Sequence, residues 1–500
     1  MKELQTMMRR CLGWAVALVA VILMSPALVS CSSEEDDIVN PATDEALADY
    51  TVMFYGVADC NMEDNLKYNL DQLKVFGYSE KVNFTGKVKF FGLEHDEEMK
   101  GTRLLTMTPE GMQNEQVAGS DFRMDNPQNL ADFIVSSRER FPAKKYVLVL
   151  WGGGNVFDMY DQPASDSYAA SGKSRSMMFD DNFEEEEDWA ALSIFELEEA
   201  LKRTGEKLDL LYWDTNCMNM IEQVYQLRNH VDYILASEHI VNEMGGNYTA
   251  LLRSLEDNAD VIPAMQDYTA RMKPYWASLV ADAYACDLTL VDVRHAEEAV
   301  QCIKRCADAL IDMRDSYEPG SQGDMVFHYL LGDSNPDADV FYSEGGVLYF
   351  PANEYGYSFS MTDVSHLFQT MGDFFLNGTL SGYATQLDYV LDKLLPVSAF
   401  TCSSARVERI SLGIFFPEME YFLSEYDNCL VDTMNGLYEM LDFEKVVNWS
   451  RFLEKNKHRK FREVVDENGN VIYGDHYFPL LEEVTDEYND EYDDEYDDEE

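Results

Sequence analysis

The chain has 500 residues, of which 46% are hydrophobic and 13% aromatic, so it can bury the core of one large domain or of two smaller ones. It carries 93 acidic and only 38 basic side chains, a formal net charge of −55 at pH 7. A protein with that charge repels nucleic-acid backbones and anionic bilayers, so composition excludes nucleic acid as a partner.

The first 30 residues have the pattern of a lipoprotein signal peptide. Lys2, Arg9 and Arg10 form a basic segment, and residues 11–27 follow without a charge. This apolar run suits a signal-peptide core and is shorter than the ~20 residues of a typical membrane-spanning helix. Leu28-Val29-Ser30-Cys31 then matches the bacterial lipobox. We therefore expect acyl chains on Cys31 to anchor the mature protein to a membrane.

An acidic segment at 31–48 is expected to form a tether between the lipid and the folded body. It lacks a hydrophobic period, and it opens with Ser32-Ser33-Glu34-Glu35-Asp36-Asp37. That run resembles the surface-export signal of Bacteroidetes lipoproteins. The resemblance implies an outer-membrane lipoprotein exposed at the cell surface, and the alternative is a solvated tether with no export role.

Residues 49–260 alternate between strand and helix patterns. Continuous apolar runs predict buried strands at the following positions: 50–56, 88–93, 146–151, 208–213 and 231–236. Helical spacing of apolar residues predicts helices between them, at 62–73, 126–134, 194–201 and 218–227. This order predicts an α/β fold, a mostly parallel sheet with helices on both faces.

The remaining chain, residues 261–480, has a mixed pattern and is expected to complete or extend the fold. Residues 288–293 and 410–416 predict further strands, and Asn468-Gly469 lies between two β-like runs, which favours a hairpin. The tail, 481–500, has thirteen acidic residues and no lysine or arginine. Such a segment cannot form a core, so we expect it to be disordered.

Cysteine usage indicates buried thiols rather than a metal site. Cys31 is assigned to lipid, which leaves seven cysteines in the mature chain, an odd number: Cys60, Cys217, Cys286, Cys302, Cys306, Cys402 and Cys429. Their spacing does not resemble that of zinc ligands. We expect no metal site from these residues, which are best explained as small buried hydrophobic side chains.

Two predicted strands end in loops that can carry chemistry. Gly152-Gly153-Gly154-Asn155 follows the strand at 146–151, and Asp214-Thr215-Asn216-Cys217-Met218 follows the strand at 208–213. Ligands bind at the carboxyl ends of parallel strands. A glycine-rich turn can present backbone N–H groups, and a cysteine before a helix can act as a nucleophile. A tight turn and a packed small residue explain the same patterns, so both interpretations stay open.

Several motifs together resemble the clostripain family of cysteine peptidases, whose fold is caspase-like. The likeness covers roughly residues 50–455 and rests on five segments: Ala58-Asp59-Cys60-Asn61-Met62-Glu63, the stretch 126–151, the stretch 208–238 ending in Ala236-Ser237-Glu238, Gly245-Gly246-Asn247-Tyr248, and Ile414-Phe415-Phe416-Pro417. The resemblance implies a caspase-like sheet and the activity of a cysteine endopeptidase.

The chain departs from the family at both catalytic positions. In the family, a His-Gly pair follows the strand that ends in tryptophan, and the histidine is the general base; here Gly153 stands at the histidine position and Gly154 at the glycine. Asp214, Met218 and Glu222 place Asn216 at the position of the catalytic cysteine, with Cys217 one residue late. Neighbouring side chains of an extended chain point to opposite faces, so we expect the Cys217 thiol to be turned away from the site.

One family feature is retained next to the lost nucleophile. Asp214 matches the family aspartate that lines the pocket for arginine or lysine side chains, and a buried carboxylate pairs well with a guanidinium. Asp214 and Gly154 are therefore the predicted substrate-binding residues, although an aspartate at this position can also cap the following helix. His239 is a further candidate for a base, and the acidic run 184–188 is either a calcium site or a solvated face.

These features predict a lipid-anchored, clostripain-like peptidase homologue that lacks catalytic activity and binds peptides or protein partners at the cell surface. No cofactor is expected, calcium apart. One alternative is an active cysteine peptidase that uses Cys217 and cleaves after arginine or lysine. The other is a structural component of a surface lipoprotein assembly.

Overall fold

A computed structural model describes residues 47–58, 62–90, 100–154, 177–180, 190–238, 241–242, 244–279, 286–317, 361–401, 412–416 and 438–456, together with short strands within 341–350 and 459–479. All of them lie in one compact unit that begins at Leu47. Cys31 and its acidic run, the segment 184–188, His239, the Asn468-Gly469 pair and the tail 481–500 lie outside the described residues.

The described residues contain nineteen strands, β1 to β19. In chain order they are β1 (Ala48–Ala58), β2 (Val82–Phe90), β3 (Gly101–Thr108), β4 (Gly111–Ala118), β5 (Ala143–Trp151), β6 (Met177–Asp180), β7 (Ala190–Leu192), β8 (Leu208–Asp214), β9 (Val231–Ala236), β10 (Cys286–Asp292), β11 (Phe341–Tyr342), β12 (Leu348–Phe350), β13 (Met361–Asp363), β14 (Val397–Thr401), β15 (Gly413–Phe415), β16 (Arg459–Phe461), β17 (Val464–Val465), β18 (Val471–Ile472) and β19 (Tyr477–Pro479).

The same residues contain eleven α-helices, and a 3-10 turn (Val293–His295) follows β10. The helices are α1 (Glu63–Phe76), α2 (Pro127–Arg140), α3 (Ile194–Thr204), α4 (Ile221–Gln226), α5 (Tyr248–Asp257), α6 (Val261–Leu279), α7 (Ala296–Asp315), α8 (Val364–Phe374), α9 (Gly378–Leu394), α10 (Asp442–Val447) and α11 (Ser450–Asn456).

A nine-stranded sheet forms the centre of the fold, in the order β14-β10-β9-β8-β5-β1-β2-β3-β4. The five strands from β9 to β2 are mutually parallel. The β3–β4 hairpin adds antiparallel strands at one edge, and β10 and β14 do so at the other. The predicted α/β class with a mostly parallel sheet is therefore confirmed.

Both faces of the central strands are buried, because alternate residues of β1, β5, β8 and β9 pack into two separate cores. On β5, Leu148 and Leu150 belong to the core covered by α2, α3, α4 and α7, whereas Val147 and Val149 belong to the core covered by α1, α5 and α6. Burial of each such side chain contributes about 1.5–3 kcal/mol, which explains why these strands are continuous apolar runs in the sequence.

Local sequence signals set several helix boundaries. Asn126 caps α2 by accepting a hydrogen bond from the backbone N–H of Gln128, and Pro127 occupies the first turn. The helix predicted at 218–227 begins only at Ile221. Its first residues are instead part of a loop, in which Asn219 donates its N–H to Ser237 and accepts from Gly413 through its carbonyl oxygen.

The region after residue 260 contributes to the same sheet, through β10 and β14. The strand predicted at 410–416 is β15, and β17 pairs with β18 on either side of the predicted Asn468-Gly469 turn. Among the described helices, none combines the length and the apolar character that a membrane crossing requires.

Candidate functional site

The two loops singled out in the sequence lie side by side at the carboxyl edge of the sheet. β5 and β8 are parallel neighbours, and Trp151 at the end of β5 is in register with Asp214 at the end of β8. The glycine turn 152–154 and the loop 215–220 therefore leave adjacent strands in the same direction. This is the edge at which parallel sheets bind ligands.

The glycine turn packs by its backbone against the neighbouring loop. A Cβ atom added to Gly154 would lie 2.6 Å from Thr215 Cβ and 3.1 Å from Asn216 N, so the approach requires glycine. On the other side of the turn, the carbonyl oxygen of Gly153 accepts a 2.6 Å hydrogen bond from the backbone N–H of Met178. Gly153 brings no side chain, so this turn offers no proton acceptor other than its carbonyl groups.

Asn216 and Cys217 have opposite orientations. The half-buried Asn216 accepts a 2.8 Å hydrogen bond from Val241 N–H through Oδ1. Cys217 has a left-handed backbone (φ 56°), is 1% exposed and packs in the core on the α2–α3 side of the sheet. Burial raises the pKa of its thiol, and the carboxylates of Asp287 and Glu238 act in the same direction. The thiol is thus an interior group held in its protonated form.

No histidine of the described chain hydrogen-bonds the sulfur of Cys217. The Nε2 atom of His230 lies 3.6 Å from Glu198 Oε1. The Nδ1 atom of His366 lies 3.5 Å from the hydroxyl oxygen of Thr370. His239, the candidate base nearest in sequence, is not among the described residues.

A small pocket that is partly open to solvent lies beside Asp214; its cavity volume is about 20 Å³, within an envelope of about 340 Å³ that includes open solvent. Asp214 and Asp287 are its acidic lining residues, and Met272, Trp276 and Leu288 supply apolar walls. No lysine or arginine of the described chain lines it. The pocket therefore has negative charge on part of its wall and apolar surface on the rest, a combination that suits the long basic side chains.

Asp214 is fixed by donors from one side only. Its Oδ2 accepts hydrogen bonds from the hydroxyl of Tyr248 and, at 2.8 Å, from Gly246 N–H. Its Oδ1 is buried and accepts no hydrogen bond from the described residues. Burial raises the pKa of this carboxyl, while hydrogen bonding from Tyr248, Gly246 and Tyr212 lowers it. Asp214 does not cap α4, whose N-cap is Met220, so its side chain belongs to the pocket.

The loop 244–246 completes the pocket wall and depends on Asn69 of α1. Asn69 is fully buried; its Oδ1 accepts from Trp151 Nε1 at 2.8 Å, and its Nδ2 donates to the carbonyl oxygens of Met244 at 2.8 Å and Gly246 at 3.3 Å. The sequence prediction did not single out Asn69. The sequence feature that could have identified Asn69 is a single amide side chain within the apolar helix face that Leu66, Leu70 and Leu73 define.

Asp287 is a second residue that the sequence analysis missed. Its Oδ1 accepts from the Ser237 hydroxyl at 2.6 Å, and its Oδ2 accepts from Glu238 N–H at 2.9 Å. Glu238 itself is fully buried, and neither of its carboxyl oxygens accepts a hydrogen bond from the described chain. Burial raises the pKa of Glu238 well above its usual value, with Asp363 and Asp287 adding to the shift, so the environment of this carboxyl favours its neutral form.

A comparison with models of known protein families identifies the family of this chain. The model of the clostripain family matches residues 63–455. The chain belongs to the clostripain family. No curated protein sequence is detectably similar to it.

Solved structures of clostripain-family (C11) proteases share its fold. The inactive zymogen of a C11 protease from Parabacteroides distasonis superimposes with a TM-score of 0.54 at 16% identity, over 80% of this chain and 98% of that one. A secreted C11 cysteine protease from Bacteroides thetaiotaomicron, solved with an irreversible peptide inhibitor, gives 0.53 at 12% identity, over 80% and 99%. The predicted caspase-like fold is thus confirmed.

Gly153 and Asn216, which the sequence analysis predicts to stand at the two catalytic positions of the family, lie on neighbouring loops. The turn that holds Gly153 and the loop that holds Asn216 are packed together through Gly154.

Proposed function

We propose that this clostripain-family protein is a catalytically inactive peptidase homologue that binds basic peptide side chains without cutting the chain. The observation that carries the proposal is the direction of the Cys217 side chain, which is 1% exposed and packs in the core. A nucleophile must reach the substrate carbonyl, and a thiol beneath the sheet edge cannot do so.

The missing base supports the same conclusion. A cysteine peptidase needs a group that takes the thiol proton and returns it to the leaving amine. Gly153 has no side chain for this role, and Asn216 cannot form an acyl-enzyme. Because nucleophile and base act as one unit, the loss of either alone lowers the rate by orders of magnitude.

The binding half of the proposal rests on Asp214. Its Oδ1 accepts no hydrogen bond from the described residues, although the atom is buried at a pocket wall. A guanidinium or ammonium group that enters the pocket supplies the donor and the charge that this oxygen lacks. Asp287 adds negative charge on the same lining.

Hydrolysis assays test the catalytic part of the proposal. The purified protein should not hydrolyse amide substrates that end in arginine or lysine, with or without calcium. Cleavage by the wild type that Cys217→Ala abolishes would overturn the proposal and restore the active-peptidase alternative.

A gain-of-function variant tests whether the two substitutions account for the inactivity. Gly153→His and Asn216→Cys should each do little alone, because the unit needs both members. The double variant is expected to regain weak cleavage after basic residues, since Gly154 and Asp214 are still in place. Activity of the double variant toward uncharged residues instead would contradict the role of Asp214.

We further propose that Cys31 anchors the protein to the outer membrane, with the folded body at the cell surface. The support is the lipobox and the acidic run that follows it. Cys31→Ala should release the protein from the membrane fraction. A mutant that still sediments with membranes and carries labelled fatty acid would refute the anchor.

A further inference from the structure

The amide of Asn216 has a fixed orientation. Its Oδ1 accepts a hydrogen bond from Val241 N–H at 2.8 Å. The amide nitrogen Nδ2 is a donor and cannot accept this bond, so Oδ1 faces Val241 and Nδ2 lies on the other side of the amide group. Asn216 is half-buried, and Nδ2 has no hydrogen-bond partner in the described part of the chain. Two N–H donors are therefore available where peptidases of the family have their nucleophile.

The surroundings place these donors beside the pocket. Asp214, the last residue of β8, is two residues earlier in the chain, and both Asp214 and Val241, whose N–H bonds to Asn216 Oδ1, line the pocket. A ligand whose basic side chain reaches Asp214 brings its own backbone to the mouth of the pocket. The backbone group that needs a donor there is its carbonyl oxygen.

We propose that Asn216 is a carbonyl-binding residue, whose Nδ2 donates to the backbone carbonyl oxygen of the ligand residue that fills the Asp214 pocket. This inference rests on the proposed function. At position 216, a side chain that would attack the substrate carbonyl is thus replaced by a side chain that donates a hydrogen bond to it.

Electrostatics favour an uncut peptide over a cleavage product at this position. Asp214 and Asp287 line the pocket, and no lysine or arginine of the described chain does so. A free carboxylate next to them is repelled, whereas a neutral peptide carbonyl is not. The ligand is therefore a basic residue inside a chain rather than at its C-terminus.

Two probes separate the pocket from the carbonyl contact. Agmatine has a guanidinium but no carbonyl group, and N-acetyl-arginine N-methylamide has both. Both should bind the wild type, measured by calorimetry on the purified protein. Asn216→Asp keeps an acceptor for Val241 N–H and removes the donor, so it should weaken the methylamide relative to agmatine by about five- to tenfold.

Asn242→Asp is the matched control. Asn242 also lines the pocket, and its Oδ1 accepts from Met244 N–H at 3.0 Å, which an aspartate can still do. This variant adds the same negative charge near the pocket without touching position 216. The affinities for agmatine and for the methylamide should change by the same factor, so their ratio should stay at the wild-type value. Asn216→Ala, which removes donor and acceptor, should lower the ratio as Asn216→Asp does.

The outcomes are distinguishable. If agmatine does not bind the wild type, the proposed function itself fails. If agmatine binds but Asn216→Asp leaves the affinity ratio unchanged, the role of Asn216 is wrong while the pocket stands. N-acetyl-arginine with its free carboxylate should bind more weakly than the methylamide; equal or tighter binding would overturn the preference for uncut chains.

Discussion

The site has two halves at the ends of adjacent strands, and they differ in what holds them. The loop half, residues 152–154 and 215–217, is packed through backbone atoms, with Gly153 bonded through its carbonyl oxygen and Cys217 in the core. The pocket half, Asp214 with residues 244–248, is held by side-chain hydrogen bonds that converge from three elements. The two halves are thus held by separate groups, even though Asp214 and Asn216 are only two residues apart in the chain.

The largest effect is expected in the pocket half, at Gly245. Its φ is +63°, and an added Cβ would lie 2.8 Å from Asp214 Oδ2 and 3.0 Å from Asn69 Oδ1. Gly245→Ala should lower the free energy of unfolding by about 2–5 kcal/mol, the sum of backbone strain and overpacking, and should abolish agmatine binding.

Gly205 provides the matched control for that prediction. Its φ is +73°, but an added Cβ meets no atom within 4 Å. Gly205→Ala should therefore show only the backbone strain, about 1–2 kcal/mol, with agmatine binding retained. Urea denaturation measures the free energy of unfolding of both variants, and calorimetry measures their agmatine binding. An equal loss of unfolding free energy in the two variants would contradict the tight packing of the pocket wall.

The second prediction concerns the structural contribution of the segment that follows the loop 215–220. Glu222 of α4, just after that loop, is fully buried; its Oε1 accepts from Phe415 N–H at 2.9 Å and from Tyr438 OH at 2.8 Å. Burial raises its pKa from 4.5 to about 7, with those hydrogen bonds opposing the shift and Glu444 adding to it.

The raised pKa fixes the sign of the pH dependence. The folded state binds the proton more tightly than the unfolded state, so this contribution is fully present below about pH 4.5 and is lost as pH rises through 7. The loss amounts to about 3 kcal/mol. Glu222→Gln should remove this part of the pH dependence of unfolding, while Glu139→Gln, an exposed site on α2, should not. Parallel pH profiles for Glu222→Gln and the wild type would refute the assignment.

A smaller effect is expected at Cys217. Cys217→Ser places a hydroxyl in an apolar core and should destabilise by about 1–3 kcal/mol, and Cys217→Ala should destabilise by about 1 kcal/mol. Cys306→Ala, another fully buried thiol, should behave like Cys217→Ala. Neither Cys217 variant should change agmatine affinity. A weaker affinity in Cys217→Ala, with normal stability, would indicate that the thiol faces the site.

The apolar runs of β1, β5, β8 and β9 made the parallel sheet predictable, because strands buried on both faces have no polar period. They also indicated that the loops after these strands lie at one edge of the sheet, whereas the adjacency of β5 and β8 came only from the structure. The β3–β4 hairpin was not predicted, because Gln113 to Gln116 are polar and exposed on both faces of an edge strand. Asp287 was missed for another reason: it reaches the site from β10, which pairs with β9 only in the folded state.

One experiment measures both whether the protein binds a peptide with an internal arginine and whether that peptide stays uncut. An acetylated peptide with one internal arginine is titrated into the wild type and into Asp214→Asn by calorimetry, and the peptide is then recovered for mass spectrometry. We expect the wild type to bind the peptide, Asp214→Asn to bind it with an affinity at least about tenfold lower, and the peptide to be recovered intact from both. Fragments that end in arginine, formed by the wild type and lost in Cys217→Ala, would contradict this expectation.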